Sequence, residues 1–324
     1  MTKISEVVEI MKDAESKALP IVRKYLAPPE KLWQPADFLP VTTDPKFPDS
    51  VREIQELSKA LDYDLFSVLI GDTITEEALP TYQTWLMQTE GFDQQNSNTW
   101  ATWLRGWTAE ENRHGDLLNT YLYLSGRVDM WQFQVTVQYL IQDGFFVGME
   151  HNPYKSFVYT SFQELATNIT HRRVATACKA QGNAPLAKIC ATIASDEKRH
   201  ANAYMDFINL LFEYNPSDVI IDFAAMMKHG ILMPGHMMQE FGEGKGDIFN
   251  HFSNSAARLE IYTGRDYVVI LEKLLKRWDI EHRRELNDEG QRARDYLMKL
   301  PGRLEAVIKR SKVPQERHRF KWLH

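Results

Sequence analysis

Cysteine, glycine and long apolar runs are all scarce in this sequence. Only two of its 324 residues are cysteine, which is too few for a disulfide framework or a cluster of thiolate metal ligands. With 16 glycines and 14 prolines, the chain shows no fibrous repeat and no disordered composition. No apolar run approaches the roughly 20 residues that a membrane-spanning helix requires. These absences indicate an ordinary globular protein of a reducing compartment. We expect Cys178 and Cys190 to be small core residues with free thiols.

The N-terminal segment also lacks the features of a targeting sequence. Its first residues, MTKISEVVEIMKDAESKALP, mix acidic with basic side chains and contain no long apolar core. A secretion signal requires such a core, and an organelle transit peptide is poor in acidic residues. We therefore expect a protein of the bacterial cytoplasm or, for a mature plant-type protein, of the plastid stroma.

Charge is distributed unevenly along the chain. The net charge is −6, yet the part from Arg258 to the C-terminus has 17 Lys and Arg against 11 Asp and Glu, a local +6. The rest has 21 against 33, or −12. A basic helical segment is usually a solvated face, but it can also dock an acidic protein. No nucleic-acid-binding motif accompanies it.

Most of the chain has the pattern of amphipathic helices, because apolar residues recur at spacings of three and four and strand signals are scarce. The pattern predicts an all-α protein with helices at 4–26, 51–88, 98–125, 130–142, 154–181, 183–213 and 217–230, and further helices within 254–312. Pro80 should kink the helix at 51–88 unless neighbours satisfy the freed carbonyl. Six prolines between Ala27 and Ser50 predict an irregular surface segment. No linker divides the chain. We predict a single domain over 1–324, comprising an N-terminal part (1–50), a bundle core (51–213) and additional helices (214–324).

Two predicted helices carry a Glu-x-x-His pair within an apolar stripe. Steps of three and four residues give Leu104, Trp107, Glu111, His114, Leu118 and Tyr121 in one helix, and Leu186, Cys190, Ile193, Glu197, His200, Tyr204, Phe207 and Leu211 in the other. A bare carboxylate in a core costs several kcal/mol, so it must be protonated, paired or bound to a cation. Residues i and i+3 share a helix face and can reach one metal ion. For either pair alone, a satisfied core histidine or a salt bridge is the simpler interpretation; the repetition favours metal.

A single glutamate precedes each pair at a similar distance. Glu76 lies 35 residues before Glu111, and Glu164 lies 33 residues before Glu197. Helical di-metal proteins take one Glu from each of two helices and a Glu-x-x-His from each of two others. Four carboxylates offset two divalent charges, and an oxygen-rich set with one imidazole per metal suits iron or manganese better than zinc or copper. Taken alone, either single glutamate is more typical of a surface position.

Four longer segments are recognisable: GDTITEEALPTY, WTAEENRHGDLLNTYLYLSGRVDM, NPYKSFVYTSFQE and ATIASDEKRH. They closely resemble the soluble acyl-acyl-carrier-protein desaturases, best known from plant plastids, over at least Leu32 to Tyr267. The resemblance implies a ferritin-like four-helix bundle with surrounding helices and six iron ligands, Glu76, Glu111, His114, Glu164, Glu197 and His200. It also implies that Thr167 lies beside the oxygen-binding face, and that Trp33 and Asp196 link His114 to the surface for electron transfer. Simple packing is the alternative for Trp33.

The resemblance further implies a reaction and its partners. Two iron ions per subunit, reduced by ferredoxin, would use dioxygen to remove two hydrogens from adjacent methylenes of an acyl chain held on acyl carrier protein. We expect a cis double bond at Δ9 of a C16 or C18 chain, a homodimer, and no nucleic-acid or membrane partner. Because the carrier is acidic, Arg283, Arg284, Arg292 and Arg294 are candidates for docking it.

Departures from the family pattern bear on the substrate. Along the expected acyl channel this chain has Trp85, Val147 and Ser156, and a bulky Trp85 would shorten the channel. The sequence is therefore also compatible with a substrate that carries an acyl group other than stearoyl, such as palmitoyl. The alternatives to a desaturase are another di-iron oxidase or hydroxylase, an iron-storing bundle of ferritin type, and a catalytically silent relative that binds the carrier.

Overall fold

Helices make up the regular structure of the chain. The computed structural model describes residues 3–144, 146–242 and 248–324. The α-helices in these ranges are α1 (Lys3–Tyr25), α2 (Phe47–Lys59), α3 (Tyr63–Glu77), α4 (Leu79–Leu86), α5 (Thr99–Ser125), α6 (Met130–Asp143), α7 (Pro153–Ala180), α8 (Ala184–Leu211), α9 (Pro216–His229), α10 (Ile248–Arg258), α11 (Gly264–Arg277) and α12 (Asp288–Ile308). The only β pairing within them is an isolated bridge between Val128 and Leu323. The all-α fold class is thus confirmed.

The prediction of one long helix over 51–88 was wrong. The segment forms α2, α3 and α4, with a first break where the Asp62 side chain accepts a hydrogen bond of 2.8 Å from the Asp64 amide and caps α3. The second break follows Glu77, and Pro80 lies in the first turn of α4. Proline is tolerated there because the first-turn amides have no partner within the helix. The regular helix that carries Glu76 therefore ends one residue after it.

The proline-rich segment before α2 is irregular, as its composition predicts. Two short 3₁₀ turns, Pro29–Lys31 and Pro35–Asp37, interrupt it. Trp33 and Phe38 are half-buried and pack against the hydrophobic core from this segment. The segment therefore brings an aromatic side chain from the surface to the bundle.

The central bundle consists of α3, α5, α7 and α8. Helices α7 and α8 pack against each other, α3 packs on α5, and α1 covers both α5 and α8. At Gly115 on α5 an added Cβ would lie 2.9 Å from Glu77 Oε1 and 3.4 Å from the backbone carbonyl carbon of Glu76. The absence of a side chain at Gly115 therefore allows α3 to approach α5 closely, next to His114.

The remaining helices and the C-terminal segment surround this bundle. α10 packs on α3, and α12 packs on α9 and α11. Phe320 and Trp322 of the C-terminal segment are buried, and the Asp129 amide donates a 2.9 Å hydrogen bond to the Trp322 carbonyl. In the described ranges no helix combines the length and apolarity needed to cross a membrane.

Candidate metal centre

The six predicted ligands converge inside the central bundle. All six side chains are buried. They form two groups in which one ligand atom from each residue lies within 4.8 Å of the others, namely Glu76, Glu111, His114 and Glu197 in the first group, and Glu111, Glu164 and His200 in the second. α3 and α7 each supply a single glutamate, whereas α5 and α8 each supply a Glu-x-x-His pair. The tertiary fold therefore brings together residues that lie on four different helices.

Glu111 is common to both groups. Its Oε2 lies 3.3 Å from His114 Nδ1, and its Oε1 lies 2.6 Å from His200 Nδ1. In the first group, His114 Nδ1 is also 3.0 Å from Glu197 Oε1. In the second group, His200 Nδ1 is 3.5 Å from Glu164 Oε2. Glu111 thus presents one oxygen to each half of the centre.

Five atoms that face the centre are buried and have only other ligand atoms as polar neighbours in the described ranges. They are Glu111 Oε1, His114 Nδ1, Glu164 Oε2, Glu197 Oε1 and His200 Nδ1. Leaving a buried polar atom unpaired costs roughly 1–3 kcal/mol, so several pointing at one spot require a partner. Carboxylate oxygens with one imidazole nitrogen per group are donors suited to iron or manganese. The residues therefore fit two divalent cations.

The pKa shifts of the buried carboxylates also favour bound cations at the centre. Burial, together with the charges of Glu111 and Glu197, raises the pKa of Glu164 well above its ordinary value. Burial also acts to raise the pKa of Glu111, but His114 and His200 outweigh it and lower that pKa to about 2. Crowded buried carboxylates repel one another unless positive charge lies between them. Bound cations would supply that charge.

A carboxylate holds the outer nitrogen of each histidine. His114 Nε2 lies 3.5 Å from Asp196 Oδ2, and His200 Nε2 lies 2.7 Å from Glu110 Oε2. Arg199 contacts both carboxylates, at 2.6 Å from Glu110 and 2.8 Å from Asp196. These contacts direct each Nδ1 toward the centre, as is common for metal-binding histidines.

The pairing of histidine and carboxylate is crosswise between α5 and α8. Asp196 directly precedes Glu197 yet holds His114, and Glu110 directly precedes Glu111 yet holds His200. The sequence analysis named Asp196 but missed Glu110. The signal was present, because an acidic residue precedes the ligand glutamate in both Glu-x-x-His helices.

Trp33 and Asp196 are in contact, and their role in electron transfer stays a prediction. Trp33 Nε1 donates a 2.9 Å hydrogen bond to Asp196 Oδ2, and the Trp33 ring stacks on the His114 ring with centroids 6.0 Å apart. Arg113 lies 3.1 Å from the same Asp196 oxygen and donates to the Trp33 carbonyl. The half-buried Trp33 is therefore joined to His114 both through Asp196 and by stacking.

The glutamate ligands also have outer donors. Thr167 Oγ1 donates to Glu197 Oε2. Trp107 Nε1 donates to Glu164 Oε1 at 2.8 Å, and His171 Nε2 lies 3.0 Å from Glu76 Oε1. The sequence analysis missed the roles of Trp107 and His171. Two turns separate His171 from Glu164 on α7, so helical periodicity could have placed it on the side of the helix that carries the ligand.

A cavity of about 570 Å³ adjoins the first group of ligands. Glu76, Thr167 and His171 form part of its wall. Most of the remaining wall is apolar and comes from α7, α9, α10 and α12 and the segment after α9, including Phe162, Ala166, Met227, Ile231, Met233, Phe249, Phe252, Leu304 and Ile308. One side of the centre therefore faces a space that suits an apolar ligand.

The three predicted channel residues do not line this cavity. Ser156 lies about 9 Å before Phe162 along α7, from the helical rise per residue, and donates a 2.9 Å hydrogen bond to the Asn152 carbonyl. The Trp85 ring stacks on His151, and Val147 is fully buried. Their role in chain-length selection stays a prediction.

A four-helix core with a buried carboxylate and histidine centre defines the class of helical di-metal carboxylate proteins. A family model described as fatty acid desaturase matches residues 6–324. The chain belongs to the fatty acid desaturase family, so the sequence-based resemblance and the assignment as an oxidoreductase are confirmed.

Curated relatives are similar over nearly the whole chain. The palmitoyl-acyl-carrier-protein 4-desaturase 3, chloroplastic, of Ophrys sphegodes is 47% identical over 98% of this chain and 81% of the relative. The stearoyl-acyl-carrier-protein 9-desaturase 1, chloroplastic, of Arabidopsis thaliana is 49% identical over 94% of this chain and 77% of the relative. The stearoyl-acyl-carrier-protein 9-desaturase of Ricinus communis, also chloroplastic, is 48% identical with the same coverage. Related enzymes thus differ in acyl chain and in double-bond position.

Proposed function

We propose that this protein introduces a cis double bond into a saturated fatty acyl chain carried on acyl carrier protein. The observation that carries the proposal is the convergence of four buried glutamates and two histidines, with Glu111 shared, beside a largely apolar cavity. The names of the relatives, which act on acyl chains linked to the carrier, support the same substrate class. Removal of two hydrogens from adjacent methylenes, with two electrons and two protons from outside, balances the reduction of dioxygen to two waters.

The cofactor in this proposal is a pair of iron ions per subunit. Glu76, His114 and Glu197 would hold one ion, Glu164 and His200 would hold the other, and Glu111 would contact both. The bound irons would supply the oxidation of the acyl chain by dioxygen. The surrounding side chains keep each ligand oriented before the substrate arrives, which is how a protein fixes reactive geometry.

The acyl chain would occupy the cavity that adjoins Glu76. Its apolar wall excludes water from the reacting carbons, and Thr167 places a hydroxyl between the cavity and Glu197. Apolar walls bind methylenes without favouring one of them, so the depth of the channel must choose the carbon pair. We propose Δ9 desaturation of a C16 or C18 chain.

Electrons would reach the centre through Trp33. Phe38 meets the Trp33 ring edge-on at 5.5 Å, and Lys188 Nζ lies 5.3 Å from the Phe38 ring. Lys188 is exposed, so this chain of contacts runs from a basic surface position to His114. We propose ferredoxin as the donor that docks there. A homodimer is also proposed, on the family resemblance alone.

Turnover by the purified protein tests the proposal. Acyl carrier protein loaded with 14-, 16- or 18-carbon chains is supplied with ferredoxin, its reductase and air, and the double bond is located by mass spectrometry. We expect a cis-monoene only when both iron and oxygen are present. The matched control is the same protein stripped of metal and then reconstituted with iron.

The alternatives predict different results in the same assay. A hydroxylase would give a product with one added oxygen. A storage protein would accumulate many more than two irons per chain and give no product. An iron-replete sample that binds the carrier but gives no product would identify a catalytically silent relative and overturn the proposal.

A further inference from the structure

The two single glutamates, Glu76 and Glu164, use their two carboxylate oxygens in the same way. Oε2 of Glu76 is directed toward His114 Nδ1 at 3.8 Å, and its Oε1 lies 3.0 Å from His171 Nε2. Oε2 of Glu164 is directed toward His200 Nδ1 at 3.5 Å, and its Oε1 accepts from Trp107 at 2.8 Å. In each case one oxygen faces the centre and the other is held from outside. The outside donors differ, an imidazole for Glu76 and an indole for Glu164.

The surroundings of the two donors differ as well. Trp107 is fully buried in the bundle, and its ring packs edge-on against Tyr204. His171 is equally buried but forms part of the cavity wall. Thr167, one turn earlier on α7, also lines the cavity and donates to Glu197. Both unshared carboxylates of the first group are therefore held by cavity-lining side chains of one helix.

We propose that His171 is a positioning residue for the first metal position. Its Nε2–H, donated to Glu76 Oε1, fixes the carboxylate so that Oε2 faces the metal position shared with His114. This inference rests on the di-metal centre of the proposed function but not on the identity of the substrate. The first position depends on the cavity wall for its geometry, whereas the second depends on Trp107 in the closed core.

Two substitutions at His171 separate the hydrogen bond from simple packing. The side-chain amide nitrogen of glutamine can reach the place of imidazole Nε2, whereas that of asparagine reaches only the place of Nδ1. His171→Gln therefore keeps a donor for Glu76. His171→Asn leaves a polar but smaller side chain that lacks this donor. Thr160→Val is a matched control, because the Thr160 hydroxyl is buried on α7 and donates to carbonyls of its own helix.

The experiment is an anaerobic titration of the metal-free full chain with Fe²⁺, repeated with Co²⁺ to follow its visible absorption. For the unaltered protein we expect two equivalents. His171→Asn should weaken one of the two equivalents by about 10–100-fold and leave the other unchanged, as expected when an outer partner of a ligand is lost. His171→Gln should restore most of that affinity, and Thr160→Val should leave both equivalents unchanged.

Trp107→Phe provides the complementary result. It should weaken a single equivalent while His171 is intact, and the double variant with His171→Asn should weaken both. Unchanged binding by His171→Asn would overturn the inference, as would equal weakening of both equivalents that glutamine does not restore. Failure of the unaltered protein to bind two equivalents would instead contradict the di-metal centre itself. The two failures are therefore distinguishable.

Discussion

Glu111 differs from the other carboxylates of the centre because both of its oxygens face ligand histidines. Its Oε1 lies 2.6 Å from His200 Nδ1, and its Oε2 lies 3.3 Å from His114 Nδ1. Among the residues that the structure describes, no donor outside the ligand set bonds to Glu111, whereas Glu76, Glu164 and Glu197 each accept from an outer side chain. A residue in this position contributes to both metal positions at once.

Replacing Glu111 should therefore affect both metals together. For Glu111→Gln we expect the iron content of the reconstituted protein to fall from two to below one per chain, because one position loses its oxygen donor and both lose the shared negative charge. Glu164→Gln, which removes a ligand from the second group only, should retain about one. Metal analysis after desalting measures the difference. Equal iron content in the two variants would contradict the shared role of Glu111.

Asp196 joins three groups at one carboxylate. Its Oδ2 lies close to Trp33 Nε1, Arg113 and His114 Nε2. For Asp196→Asn we expect turnover with ferredoxin to fall about 10–100-fold, because the amide cannot accept from all these donors and His114 loses its anionic partner. Steady-state oxidation of ferredoxin coupled to product formation measures this loss. Asp206→Asn, which alters a carboxylate outside the centre that pairs with Lys24 and Arg277, should change the rate little.

At the scale of elements, the short helices matter more than their length suggests. α3 ends just after Glu76, and α10 lies against α3 while its Phe249 and Phe252 form part of the cavity wall. Asp64 on α3 connects these parts. Arg258 of α10 lies 2.7 Å from Asp64 Oδ1, and Arg317 of the C-terminal segment lies 3.1 Å from Oδ2. A single buried carboxylate thus ties the cavity wall and the C-terminal segment to the bundle.

Asp64→Asn should lower the free energy of unfolding by about 3 kcal/mol, because it leaves the largely buried Arg258 without its anion. Asp49→Asn, which removes an exposed pair with Arg52, should cost less than about 1 kcal/mol. Urea denaturation of the two variants measures both values. Similar small losses in both would show that the Asp64 contacts do not stabilise the fold.

The same contacts predict a pH dependence of stability. Burial acts to raise the pKa of Asp64, but the hydrogen bonds and charge of Arg258 outweigh it, so this pKa lies below its ordinary value. Its contribution to stability is then present above the unfolded pKa of about 3.9 and is lost as pH falls through the folded pKa. Between pH 7 and about pH 3 the free energy of unfolding should fall less in Asp64→Asn than in the unaltered protein. Denaturation at the two pH values measures this. An equal drop would contradict this assignment.

At the scale of the whole molecule, the basic C-terminal part includes α12, which supplies part of the cavity wall. Leu304 and Ile308 line the cavity, and Arg294 lies about 15 Å from Leu304 along the helix, from the rise per residue. Arg284 and Arg292 are exposed, whereas Arg283 packs over the Phe212 ring and Arg294 bonds to the Arg283 carbonyl. The exposed pair is the better placed to meet an acidic carrier.

Neutralising Arg283, Arg284, Arg292 and Arg294 to glutamine should raise the KM for acyl carrier protein substrates about tenfold and leave kcat unchanged, because docking rather than chemistry is affected. Added salt should raise the KM of the unaltered protein and so reduce the difference in KM between it and the variant. A control variant carries glutamine at four exposed basic positions near the N-terminus, Lys12, Lys46, Arg52 and Lys59. Unaltered KM in the first variant would remove these arginines from the docking surface.

The sequence by itself determined the helical class and most helix bounds, because both depend on local periodicity, and it selected the six candidate ligands. Glu-x-x-His at i and i+3 must share a face whatever the tertiary structure, and α5, α7 and α8 begin and end within about two residues of the bounds that the pattern predicts. Glu76 and Glu164 were harder to identify, because the apolar residues around them follow the helical spacing less regularly. Only the repeated distance to the Glu-x-x-His pairs indicated them.

Tertiary structure alone decided which residues hold the ligands and where the open space lies. Glu110, Trp107 and His171 act across helix pairs, so periodicity can place each on a face of its helix but does not identify its partner. The cavity lies beside Glu76 and is lined by α10 and α12, and the residues expected to line a channel lie elsewhere. Long-range contacts of this kind arise from the relative placement of helices, which local sequence does not specify.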